Sequence, residues 1–301
     1  MQTIKAPALR PGDTIGIFSS SLPGAYNQEK QLRYAEELFA GHGFRLQYGS
    51  LAQKKEFYRS GGIQARAEEF NALLRDPDVK CLLASAGGYV SNSILSYIDY
   101  EALRKNPKPI VGFSDITAIL LGIYAKTGLA GFYGPVLSDF WRKPPFPQES
   151  FAWLLDMLCG APLPYVFPTP ERWTEDTIDF NERYKYKTHE NALVTVRGGR
   201  ARGRLIACNM HSLGGIWGSE YMPEILPGDI LLLEDTKTCA ETAEHEFSHL
   251  KLCGVFDRIG GLLLGKCLAW NDRGSGRMFY DIFTEVAGWE LGGGSAFFWE
   301  V

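Results

Sequence analysis

Ser114 stands in Gly112-Phe113-Ser114-Asp115, after the apolar run Pro-Ile-Val-Gly and before a helix-length stretch that begins Ile-Thr-Ala-Ile-Leu-Leu. A serine at a sharp strand-to-helix turn exposes its hydroxyl. It also sets the next backbone amide among the unpaired donors of a helix N-terminus. That is the mechanical layout of a nucleophile elbow, half met here because Ile116 takes the place of the second glycine in G-x-S-x-G. A competing reading makes Ser114 or Asp115 only a helix cap.

Three further places could supply partners. Gly87 and Gly88 directly follow an apolar run ending at Ser85, where backbone amides could donate to an oxyanion. A tight turn is the alternative. Glu234 ends the apolar run Ile230-Leu-Leu-Leu, and a carboxylate there could orient a histidine in a Ser-His-Glu triad. An exposed strand-end acid is the alternative. His245-Glu246-Phe247-Ser248-His249 spells H-E-x-x-H, which on a helix could hold zinc with Glu246 as base. It has no evident third ligand, so solvated surface histidines are the preferred reading and no metal is expected. Trp173 lies in a polar, charged stretch and either stacks on a ligand or anchors its own loop. No G-x-G-x-x-G follows the first apolar run, so no dinucleotide site is expected, and no cofactor is assigned.

The elements that must position these residues alternate. Strands are expected at Asp13 to Ser19, Phe44 to Tyr48, Val79 to Ser85 and Pro109 to Gly112. Helices are expected at Gln28 to Gly41 and Ile63 to Arg75, the second burying Phe70, Leu73 and Leu74, with a short one at Ser93 to Ile98. This β-α spacing predicts a parallel sheet covered by helices. Four prolines between Ala161 and Thr177, then a polar stretch to Glu190, mark a connection or long surface loop. Beyond it, strands are expected at Ala192 to Arg197, Arg204 to Ala207, Ile230 to Leu233 and Leu262 to Leu264, with one helix over Ala240 to Leu252. The expected domains are 1–165, carrying the nucleophile, and 191–301, joined by a linker at 166–190.

Composition narrows the class. Of the 301 residues 45% are hydrophobic and 22% charged, as in a globular protein with an ample core. A net charge of -4 argues against binding a nucleic-acid polymer through a basic surface. No apolar run approaches the ~18 residues of a membrane helix. Met1 to Pro11 lacks an apolar signal core, and the six cysteines form no CxxC pair. Reduced thiols, a cytoplasmic location and no membrane association are therefore expected.

Taken together, these segments resemble the LD-carboxypeptidase family of serine peptidases, and within it the microcin C immunity branch, the MccF-like proteins. The resemblance rests on ALRPGDTIGIFSSS, GGYVSNSILSYIDYEALRKNPKPIVGFSDITAIL, GGIWGSEYMPEILPGDILLLEDT and LKLCGVFDRIGGLLLGKC. It implies a flavodoxin-like N-terminal α/β domain, a smaller β-rich C-terminal domain, and a homodimer. Its Ser-His-Glu triad would put the nucleophile at Ser114 and the orienting acid at Glu234. The oxyanion donors would be the amides of Asp115 and, in the glycine pair, Gly88. Trp173 would correspond to a tryptophan that stacks on the nucleotide part of the substrate. The substrate would be an LD-peptide from cell-wall turnover or a peptidyl- or aminoacyl-nucleotide.

The sequence departs from that pattern at one catalytic position. The family's histidine belongs near the C-terminus, after the Gly-Lys strand, in a G-H-x-x-P-like segment. Thr284 to Val301 holds no histidine, and the last in the chain is His249. The ending GGGSAFFWEV also lacks the family's final strands. Weak or absent activity is therefore expected, unless His211 or a partner subunit supplies the base. The rival expectations are a non-catalytic ligand-binding protein on the same fold and a zinc hydrolase built on His245, Glu246 and His249.

Overall fold

The computed structural model describes residues 2–141, 148–176 and 187–288. The first strand, β1 (Thr14–Phe18, TIGIF), is buried along its whole length, as expected of a strand covered on both faces. Helix α1 (Glu29–Gly41) buries Leu32, Ala35 and Phe39, one face at helical spacing. After β2 (Arg45–Tyr48) comes α2 (Ile63–Arg75), which buries Phe70, Leu73 and Leu74 together with three polar residues. Then come β3 (Val79–Ala84), a 3-10 turn at Ser91–Tyr97, α3 (Tyr100–Lys105) and β4 (Ile110–Gly112). A second 3-10 turn, Ser114–Ile116, leads into α4 (Thr117–Thr127), and β5 (Phe132–Tyr133) follows. Helix α4 is apolar nearly all round and buries Ala118 to Ile123, so it is a core helix. Helix α5 (Gln148–Leu158) closes the series, its Phe151 meeting Phe39 and Phe140 edge to face.

These strands form one parallel sheet in the order β2-β1-β3-β4-β5. That is the flavodoxin-like order, and its direction reverses between β1 and β3. Ligands of such sheets bind outside the carboxyl ends of the strands at that reversal. The segments leaving β1, β3 and β4 carry Ser19 to Ser21, Gly87 to Val90, and Ser114 with Asp115.

A second sheet is smaller and also parallel. Its strands β8 (Leu205–Asn209), β9 (Ile230–Glu234) and β10 (Gly261–Leu264) run in the order β10-β9-β8. Helices α6 (Met210–Gly214), α7 (Ala240–Leu252) and α8 (Phe279–Ala287) accompany it. Phe247 of α7 packs against Phe279 and Phe283 of α8. A two-stranded antiparallel hairpin, β6 (Arg172–Trp173) with β7 (His189–Glu190), precedes this sheet within the stretch read as a connection. The expected strand at Ala192 to Arg197 does not form. It joins no ladder among the described residues, and only Val196 within it is buried.

The described residues fall into two compact units. One comprises residues 2–141, 148–167 and 215–223; the other comprises 168–176, 187–214 and 224–288. No described helix is long and apolar enough to cross a membrane. All six cysteines are free.

Candidate active site

In the first unit, Ser114 has φ +58, a left-handed conformation that is uncommon for a residue with a Cβ. Such local strain persists where the surroundings hold it, and it is characteristic of nucleophile turns. The surroundings are visible here. The Ser114 amide donates to Tyr133 Oη at 3.1 Å, and Phe113 meets the Tyr133 ring edge to face. Ile116, in the place of the missing glycine, is fully buried against Gly112.

Asp115 is also buried, but it does not cap the helix. Neither the turn at Ser114 nor α4 has a side-chain cap. Instead Asp115 Oδ2 accepts from the Val90 amide (2.9 Å), the Ser91 amide (3.0 Å) and Ser91 Oγ (2.8 Å). Such charge-assisted bonds are roughly twice as strong as neutral ones. The Asp115 side chain therefore holds the glycine loop while its amide lies at the start of the helix.

Ser21 holds the same loop from the end of β1. Its Oγ accepts from the amides of Tyr89 (2.9 Å) and Val90 (3.0 Å), and Leu22 donates its amide to Gly87 O (3.2 Å). Gly88 sits at φ +156, and a Cβ there would lie 2.6 Å from Ser21 Cβ and overlap its hydroxyl. Only glycine suits this position. A methyl at Gly87 would stand 3.2 Å from Ser114 Oγ, which measures how close the loop comes to the serine. Ser114, the Asp115 amide and the glycine pair are thus brought together. Sequence alone does not mark Ser21 or Tyr133 as site residues. The serine run after β1 was the available signal for the first, and Tyr133 had none.

Glu234 lies in the second unit, half-buried at the end of β9 and in register with Asn209 on β8. Asp235, next in sequence, is 4% exposed. Its Oδ1 accepts from the Thr236 amide (2.8 Å) and from Asn209 Nδ2 (3.2 Å), while Asn209 Oδ1 accepts from the amide and hydroxyl of Ser212.

The H-E-x-x-H segment is on α7 of the same unit. His245 and His249 are exposed and Glu246 is turned inward. Glu246 Oε1 lies 3.7 Å from His211 Nδ1, and Oε2 is buried with no hydrogen-bond donor. Burial and the facing Asp235 carboxylate push the Glu246 carboxyl up to about 8. Where two carboxyl groups face each other out of water, one of them keeps its proton. Among the described residues no group of three or more His, Cys, Asp or Glu side chains is arranged to hold a metal ion. Within this segment Glu246 pairs with Asp235.

Trp173, on the hairpin of the second unit, is half-buried. Its ring lies against His189 (4.9 Å between centroids, 30° between planes), with Lys266 Nζ 5.1 Å from the ring centre. The segment 289–301, part of the stretch without a histidine, lies outside the described residues.

Fold and site describe a doubly wound α/β domain with a serine at the turn after a central strand. The LD-carboxypeptidase N-terminal domain matches residues 15–134, and the LD-carboxypeptidase C-terminal domain matches residues 202–290. The chain belongs to the LD-carboxypeptidase family. A Vibrio cholerae protein whose carboxypeptidase assignment is itself inferred is 45% identical over 93% of this chain and 85% of its own. The microcin C7 self-immunity protein MccF of Escherichia coli is 43% identical over 93% of this chain and 83% of its own. The solved structure of MccF in complex with aspartyl sulfamoyl adenosine superposes with a TM-score of 0.93 at 40% identity, covering 98% of this chain and 89% of that one.

Proposed function

We propose that this chain is a serine hydrolase of carboxypeptidase or amidase type. Ser114 Oγ attacks the carbonyl carbon of the scissile bond. The oxyanion rests on the amides of Gly88 and Asp115, the amine or sulfamate leaves with a proton, and water then releases the acyl group from the serine. Glu234 is the acid that orients the base. The observation that carries this reading is Ser114 at φ +58 beside a glycine loop latched by Asp115 and Ser21.

The substrate is a small molecule, either an LD-peptide or an aminoacyl- or peptidyl-nucleotide. The microcin immunity relative supports the second class, because solved MccF structures carry glutamyl sulfamoyl guanosine and aspartyl sulfamoyl adenosine. Trp173 is assigned to the nucleotide part of such a ligand. The working form is a cytoplasmic homodimer.

We further propose that turnover is impaired, because no histidine follows His249 in these 301 residues. Loss of one triad member leaves a residual acceleration of roughly 10³–10⁴ over water. The test is hydrolysis of an LD-tetrapeptide and of an aminoacyl sulfamoyl adenosine beside Ser114→Ala. Residual turnover that Ser114→Ala lowers supports the hydrolase. Saturable binding with no turnover above background would instead mark a ligand-binding protein on the hydrolase fold.

A further inference from the structure

Helix α2 buries Arg66, Glu69 and Asn71. A guanidinium that is 1% exposed is costly unless its donors find partners, and each of the three nitrogens of Arg66 does. Nε donates to Gly61 O at 2.9 Å. Nη1 donates to Ser20 O and, at 3.1 Å, to Val90 O. Nη2 donates to Ser93 Oγ at 3.0 Å, and that hydroxyl donates in turn to Val90 O at 2.7 Å. All these acceptors are main-chain carbonyls or a hydroxyl. Asp115 supplies opposite charge within electrostatic range.

Val90 is therefore held from two sides. Ser21 and Asp115 accept from its amide, and Arg66 and Ser93 donate to its carbonyl. The same helix fixes the other latch. Glu69 Oε2 accepts from the Ser19 amide at 2.7 Å, and Ser20 Oγ meets Ser91 Oγ at 2.9 Å. Gly88 lies two residues before Val90.

We propose that Arg66 is a positioning residue for the oxyanion loop. Its planar fork fixes the carbonyls of Ser20 and Val90, and through them the loop that carries the Gly88 amide and brings Gly87 beside Ser114. A lysine carries the same charge but bonds as a point, so it cannot reach these acceptors together. The proposal rests on the hydrolase reading above, and its test separates the two.

The experiment compares the parent chain with Arg66→Lys, and with Ser93→Ala as the milder change in case the first folds poorly. Amide hydrogen exchange is followed residue by residue. Labelling of Ser114 by a small alkyl fluorophosphonate is followed in imidazole buffer. In Arg66→Lys the amides of Tyr89, Val90 and Ser91 exchange at least tenfold faster while those of β1 and β3 keep their rates, and labelling slows at least tenfold. Ser93→Ala moves both readouts in the same direction by less. Unchanged exchange at the three amides, or acceleration spread equally over the whole sheet, would overturn the positioning role. Faster exchange at the three amides with no labelling of the parent would keep the positioning role and remove the hydrolase reading. Equal labelling of parent and variant would keep the hydrolase and remove Arg66 from it.

Discussion

Asp115 Oδ2 accepts the amide of Val90 at 2.9 Å, so the residue after the candidate nucleophile ties down the loop that carries the candidate oxyanion donor. Two segments 25 residues apart in sequence thereby share one geometry. The serine cannot move relative to the glycine pair without breaking bonds to a buried carboxylate.

Gly88→Ala tests that latch. The added methyl would overlap Ser21 Oγ at a backbone conformation that alanine rarely adopts. A loss of about 1–3 kcal/mol of stability is expected, by strain and by release of the Tyr89 and Val90 amides. Labelling of Ser114 should fall by roughly 10²–10³-fold, the cost of an oxyanion donor. Urea unfolding and labelling kinetics check the two effects separately.

Trp173→Ala should weaken binding of an aminoacyl sulfamoyl adenosine by about tenfold or more, since stacking on one base contributes about 1–3 kcal/mol. Calorimetric titration measures it. Unchanged affinity would leave Trp173 as the packing partner of His189 and Lys266.

Glu246 makes a pH prediction. Its folded-state carboxyl is raised to about 8, above the unfolded value near ~4.3. The native state holds the proton longer than the unfolded chain does. Keeping Glu246 therefore costs stability progressively as pH rises from about 4 to 8, and the cost is constant above that range. Glu246→Gln is neutral throughout and can donate to Asp235. It should match the parent near pH 4 and exceed it by at least about 1 kcal/mol at pH 9. Urea unfolding at the two pH values checks this, and equal stabilities at pH 9 would remove the shared proton.

Chelation should change nothing. His245 and His249 are exposed, and no metal cluster exists among the described residues. Labelling of Ser114 should proceed equally with and without EDTA, and in His245→Ala and His249→Ala. Loss of labelling in EDTA, restored by zinc, would reopen a metal-dependent mechanism.

Much of the frame is legible in the sequence because it is periodic. Ile63–Arg75 and Ala240–Leu252 form as helices with the expected bounds, since apolar residues recur at helical spacing between clear stops. The strands at the carboxyl ends of which the site lies are short apolar runs bounded by turn residues. Ala192 to Arg197 has similar composition and no strand, because a strand also needs a partner that composition does not reveal. The two-residue β5 is too short to show any period. Within the site, Ser114 and the glycine pair carry local signals. Arg66, Ser21 and Tyr133 act across long sequence separations, and the buried charge of Arg66 looks from sequence like one more solvated residue on an amphipathic helix.

The central claim is that Ser114 is the nucleophile, and one rate measurement tests it directly. The release of amino acid from aspartyl sulfamoyl adenosine is followed with and without added imidazole, for the parent chain and for Ser114→Ala. The account predicts release by the parent, a rise in that rate with imidazole, and a lower rate in Ser114→Ala that imidazole does not raise. Equal rates for parent and variant under both conditions would contradict it.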